Sequence, residues 1–174
     1  AAALDAARDK VSAFLAAQHT PAGEVTFSAI TTDEIMARDA RGQLTNEIQY
    51  YALSQNVTVT SPDVQRIATL ALRATDLIKD GVIMQSGSPE YIFTGLEKLK
   101  LDLLAKATQN GYTRARALAE NSGSHVGVLT SAEQGVFQIT PPYSTETLDD
   151  GAYDTTTIEK SVKAVITLEF AVEK

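Results

Sequence analysis

Apolar residues first recur at helical spacing. Leu4, Ala7, Val11, Phe14 and Leu15 predict a helix over roughly residues 3–18. His19-Thr-Pro-Ala-Gly breaks it. The period then changes to two: Val25, Phe27 and Ala29 alternate with Thr26 and Ser28, as in a strand with one buried face. A polar, turn-prone stretch at Asp39–Gly42 leads into a long extended segment, Glu47 to Thr60. In that segment Ile48, Tyr50 and Ala52 share one parity, whereas Val57 and Val59 share the other. The switch predicts a bulge or bend near Ser54–Asn56, because a regular strand keeps its apolar face on one parity.

Ser61-Pro62-Asp63 carries a helix-start signature, with Ser able to cap, Pro suited to the first helical position and Asp matched to the positive dipole end. Val64, Ile67, Ala68, Ala71, Ala74 and Ile78 form the apolar stripe, and Asp80-Gly81 ends it. Tyr91-Ile92-Phe93 reads as a short strand before a third, long helix. Val126–Thr130 and Val136–Thr140 read as strands, and residues 141–157 as a polar loop. Val162, Ala164, Ile166, Leu168, Phe170 and Val172 alternate throughout, which predicts a half-buried antiparallel strand.

The long helix has one narrow polar stripe: Asp102, Lys106, Gln109, Thr113, Arg116 and Glu120. Leu, Ala and Tyr side chains cover most of the remaining circumference, more than the ~100° arc a helix needs to cover one sheet. Something besides its own sheet should meet it, either a second helix of the same domain or a neighbouring subunit. Gly111 inside this helix should cost about 1 kcal/mol relative to Ala. Asn121-Ser-Gly-Ser-His stops the helix, with Gly123 as the left-handed residue.

The order of elements, a helix first and then strands, gives an α/β (α+β) class. We expect one domain over 1–174, with three helices on a mixed, largely antiparallel sheet. In sequence the order is α-β-β-α-β-α-β-β-β, preceded by a missing strand. That strand is inferred because a leading helix that covers a sheet normally follows one of its strands.

Composition narrows the functions. The formal net charge is −7 and no run of Lys and Arg occurs, which argues against a nucleic-acid partner and a basic membrane-surface patch. The absence of cysteine removes disulfides, thiol catalysis and Cys-ligated metals. No apolar run reaches the ~18 residues of a spanning helix.

Candidate chemistry is sparse. His19 and His125 read as loop or cap residues, and two histidines cannot make a three-His metal site. Gly123-Ser124-His125-Val126-Gly127 has His where a hydrolase elbow needs Ser, and runs helix to strand rather than strand to helix. The Gln85-Ser-Gly-Ser-Pro loop has no phosphate-binding glycine pattern. Asp149-Asp150-Gly151-Ala-Tyr-Asp154 lacks the spacing of a calcium loop. Asn56-Val57-Thr58 fits a glycosylation sequon by chance. Tyr50, Tyr51, Tyr143 and Tyr153 are candidates for an interface. No catalytic, cofactor-binding or metal-binding residue is assigned, and no enzymatic activity is expected.

Several stretches together resemble the SIMPL-domain (DUF541) family of bacterial envelope proteins: YIFTGLEKLKLDLLAKAT (91–108), RARALAENSGSHVG (114–127), SAEQGVFQI (131–139), GAYDTTTIEKSVKAVITLEF (151–170) and YYALSQNVTVTSPDV (50–64). Gly111-Tyr112 departs from the Ala-rich pattern usual there. The resemblance implies a mixed α/β domain that assembles into homo-oligomers, a periplasmic or cell-envelope location with an export or membrane-anchor segment ahead of the first strand, and a link to oxidative-stress tolerance. A small-molecule or partner-binding role is the alternative. The resemblance brings no catalytic residues, no cofactor and no known small-molecule ligand.

Overall fold

A computed structural model describes residues 2–174. Contacts divide the chain into two compact units, Ala1–Pro89 and Glu90–Lys174, and each is considered by itself. The α+β class is as expected, and every strand pairing is antiparallel. The strands pair in four two-stranded ladders.

The first unit opens with α1 (Ala2–Ala17), then β1 (Val25–Phe27), β2 (Thr31–Arg38), β3 (Leu44–Ser54) and β4 (Val57–Val59). β1 pairs with β4 and β2 with β3, so the four strands form a ribbon interrupted near residues 28–30 and 55–56. β2 is a strand that the alternation did not predict, because Thr31-Thr-Asp-Glu places four polar residues at its start. The 54–56 switch is the gap between β3 and β4. A further irregularity lies earlier: Ile35 faces Tyr50 but Met36 faces Ile48, leaving Gln49 as an extra residue on β3.

Two helices follow, α2 (Val64–Arg73) and α3 (Asp76–Lys79). The predicted 64–78 helix therefore breaks at Ala74-Thr75. Asp63, rather than Ser61, is the cap, and its carboxylate accepts the Arg66 amide at 3.0 Å. Pro62 precedes the cap instead of opening the helix. Leu15, Leu70, Leu77 and Val82 form the small core of this unit. Arg8 lies over the Phe27 ring at 4.8 Å, which seats α1 on β1.

The second unit contains α4 (Leu96–Asn121), β5 (His125–Gln134), β6 (Gln138–Thr140), β7 (Ser161–Lys163) and β8 (Ile166–Glu173). Tyr91–Phe93 forms no strand; the Tyr91 amide instead donates to the Thr155 carbonyl at 2.7 Å. β5 pairs with β8 and β6 with β7. The final alternating run is thus two strands, broken at Ala164-Val165; residues 161–166 are all half-buried, and inward and outward positions alternate only from Ile166 to Phe170. Gly123 holds φ +76° at the stop of α4.

α4 packs on β8, and Tyr112 meets Phe170 edge to face at 5.7 Å. Gly111 lies where the two elements approach closely: a Cβ there would come within 2.8 Å of Leu168 Cδ1. Close packing thus offsets the helix penalty of this glycine. The polar stripe of α4 faces solvent, with Lys106–Asp102 at 2.7 Å and Arg116–Glu120 at 2.8 Å. Among the described residues no second helix belongs to this unit, and Leu101 and Leu118 remain 81% and 74% exposed. No helix among the described residues is long and apolar enough to cross a membrane.

Candidate functional site

The best-organised polar chemistry of the second unit lies in the loop expected to be merely solvated. Gln138, 1% exposed, uses both ends of its amide. Its Nε2 donates to the carbonyls of Val136 (3.1 Å) and Leu148 (2.8 Å), and its Oε1 accepts from the amides of Leu148 (3.2 Å) and Ala152 (2.8 Å). The chain then runs parallel to β6 for one bridge, Ile139 with Tyr153. The Gln138 side chain therefore supplies partners for Leu148 and for the Ala152 amide, while the Ala152 carbonyl accepts from the Ile139 amide at 2.7 Å.

Asp154 completes the arrangement. Its carboxylate accepts hydrogen bonds from the hydroxyls of Thr156 (2.7 Å) and Thr157 and from Lys160 Nζ (3.1 Å), while Lys160 also donates to the Asp154 and Thr157 carbonyls. The Thr157 hydroxyl, followed by that of Thr156, holds the Asp154 carboxyl well below the usual carboxylate range. A lowered folded-state value stabilises the loop above the ordinary aspartate value of 3.8, and that contribution is lost only as pH falls through the lower folded value. In an NMR titration Asp154 should therefore titrate clearly below 3.8, and Thr157→Val should move its midpoint up. A wild-type midpoint at or above the ordinary value would refute the arrangement.

The remaining candidates are placed as follows. His19 sits just after α1 with φ +57°, and its amide donates to the Ala16 carbonyl. His125 opens β5 opposite Glu173. The two histidines belong to different units. Gly123–Gly127 is a helix stop leading into a strand, so Ser124 has no elbow geometry. Asp149 and Asp150 join Asp154 in no cluster: among the described residues no three His, Asp or Glu side chains could share a metal. Asn56 precedes β4, whose first two residues complete the sequon. Tyr143 is exposed at φ +65°, and Tyr153 forms the bridge to Ile139.

What the fold leaves open is apolar. An open groove of about 300 Å³ runs between the end of α4 and β8, lined by Ala115, Leu118, Phe170 and Val172 among others. In the first unit β2 and β3 carry a second bare area, where Leu44, Ile48, Tyr50 and Tyr51 are exposed.

Comparison with protein families gives a match over residues 1–170 to SIMPL, described as a protein of unknown function (DUF541). The chain belongs to the SIMPL family. Comparisons with curated proteins and with solved structures returned no match.

The surface of this SIMPL chain is large for its mass. It exposes 12657 Å², whereas two fully separated compact bodies of half its 18.6 kDa would expose about 9,900 Å². The excess, about 2,700 Å², therefore lies within the units, whatever their arrangement. The burial pattern gives the reason: in the second unit only Ala119, Gln138, Ile139 and Thr140 are buried among the described residues. Ribbons of two strands, most of their faces open, bury little of what they carry.

Proposed function

We propose that this SIMPL chain is a non-enzymatic protein of the bacterial cell envelope, periplasmic or membrane-anchored, that works as a homo-oligomer and contributes to stress tolerance. The single observation that carries the self-assembly is the excess of exposed surface. A standard specific contact takes about 800 Å² from each partner, so the excess of about 2,700 Å² is ample for one or more such contacts. The location and the stress role rest on family membership. The organised polar groups, Gln138 and the Asp154–Lys160 loop, spend their hydrogen bonds on the loop itself, which suits a structural part rather than a reaction centre.

Light scattering coupled to size-exclusion chromatography tests the reading. A mass above one chain that falls on dilution is expected, and a strict monomer at every concentration would overturn it. A small-molecule or partner-binding module is the second reading, favoured by the open groove beside α4. Its volume is at the low end for ligand pockets, and its lining is apolar apart from Ser122, whose hydroxyl already donates to the Ala119 carbonyl at 2.8 Å.

A further inference from the structure

The β2–β3 ribbon has an asymmetry that the alternation of its residues conceals. Cross-strand partners share a face, and β3 carries the extra residues at each shift in register. Tyr51 faces Glu34, Ile48 faces Met36 and Leu44 faces Arg38. Glu34, Met36 and Arg38 alternate along β2 and so lie on one side of the ribbon. The extra residue at Gln49 brings Ile48 onto the face of Tyr51 and away from Tyr50. One face therefore carries a stripe of Leu44, Ile48 and Tyr51, respectively 64%, 42% and 58% exposed, with half-buried Met36 beside it. Arg38 marks one end of the stripe and Glu34 the other, about 13 Å apart along the strand. Neither takes part in an ion pair among the described residues.

We propose that this face is the docking surface for the same face of a second copy of the chain, packed about a two-fold axis that lies between the faces and crosses the strands at Met36. The inference rests on the self-assembly reading and names its contact. The axis reverses the strand direction, so Met36 and Ile48 stack on their own counterparts and Tyr51 lies toward Leu44 of the other copy. It also sets Glu34 of each copy over Arg38 of the other, which gives both unpaired charges an opposite partner. An axis along the strands would instead place Glu34 level with Glu34 and Arg38 level with Arg38. Charge therefore selects one orientation. Apolar burial of the Leu44, Ile48 and Tyr51 stripe supplies the attraction.

Charge reversal tests the orientation. The side chains are exposed, so the fold tolerates the changes, and circular dichroism verifies this for each variant. At low salt, Glu34→Arg alone and Arg38→Glu alone should each weaken self-association about tenfold or more, because each turns two attractive pairs into repulsive ones. The double variant E34R/R38E should recover the wild-type association to within about threefold. An equimolar mixture of the two single variants should form a hetero-complex tighter than either variant forms with itself.

Unchanged association in both single variants would overturn the docking face while leaving self-assembly intact. Weakening by the single variants without recovery in the double variant or the mixture would overturn the two-fold arrangement. A wild-type chain that stays monomeric, as it would if the stripe were covered within its own chain, would overturn both the inference and the assembly reading.

Discussion

Replacing Gln138 by Leu should lower the stability of the second unit by about 4 kcal/mol. The side chain is 1% exposed and makes four hydrogen bonds, to Val136, to Ala152 and twice to Leu148. Leucine fills similar space but satisfies none of them, and each buried backbone group left without a partner costs about 1–3 kcal/mol. Leu148 is partly exposed, so water re-solvates some of these groups and the total falls short of the four-fold maximum. Urea unfolding followed by circular dichroism measures the loss. Hydrogen exchange should show it concentrated at the Leu148 and Ala152 amides. A change below about 1 kcal/mol would mean that the loop does not depend on this side chain.

Gln138→Glu gives a sharper control. The carboxylate keeps the acceptor for Leu148 and Ala152 but turns negative charge toward the carbonyls of Val136 and Leu148. Burial and these carbonyls push its pKa up, so the variant should be more stable in acid and should lose that stability as pH rises through the raised value. The wild type, with a neutral amide at this position, should lack that dependence.

Arg66→Ala should destabilise the first unit by about 2–3 kcal/mol, between the value of an exposed pair and that of a fully buried one. Arg66 pairs with Glu24, with both side chains 21% exposed, and also donates to the Ser61 hydroxyl and to the His19 carbonyl at 3.2 Å. One guanidinium thus ties the end of α1, the turn before β1 and the start of α2 together. Alanine leaves the Glu24 carboxylate half-shielded and without its cation. Arg66→Lys should recover only part of the loss, because a single ammonium cannot reproduce the planar fork over three partners. Thermal unfolding of the two variants side by side measures both effects; a lysine variant as stable as the wild type would refute the fork.

Much of the secondary structure is legible from residue pattern alone. The start and end of α1, the full length of α4 with its solvated stripe, the Gly123 stop and the strands at 126, 138 and 166 follow from apolar period and capping chemistry. The missed β2 begins with Thr31-Thr-Asp-Glu, whose side chains are all exposed, so no buried face exists to impose alternation. The opposite error at Tyr91–Phe93 has the same root. Aromatic and β-branched residues favour extended backbone, but a strand requires a ladder partner, and that segment has only the single Tyr91–Thr155 hydrogen bond. The break at Ala74-Thr75 is invisible because Ala propagates a helix as readily as it ends one.

The polar groups that organise the second unit left a weaker trace. Gln138 lies in a run, Val136 to Thr140, that sequence places in a strand, and nothing in its spacing distinguishes a keystone amide from a solvated one. Asp154, Thr156, Thr157 and Lys160 look like a polar turn until the loop closes on them. The clustering of Asp and Thr was the available signal, since these side chains commonly bond to nearby backbone and hydroxyl groups.

The sequence by itself determined the family, the α+β class, the length of the long helix and the absence of cysteine chemistry. These depend on residue identity and short-range period, which the chain carries locally. Tertiary structure alone decided which apolar residues go uncovered and which share a face. Ile48 and Tyr50 read as one face by parity, yet the extra residue at Gln49 separates them and aligns Ile48 with Tyr51. A register shift depends on the partner strand, here β2, and no property of β3 alone encodes it.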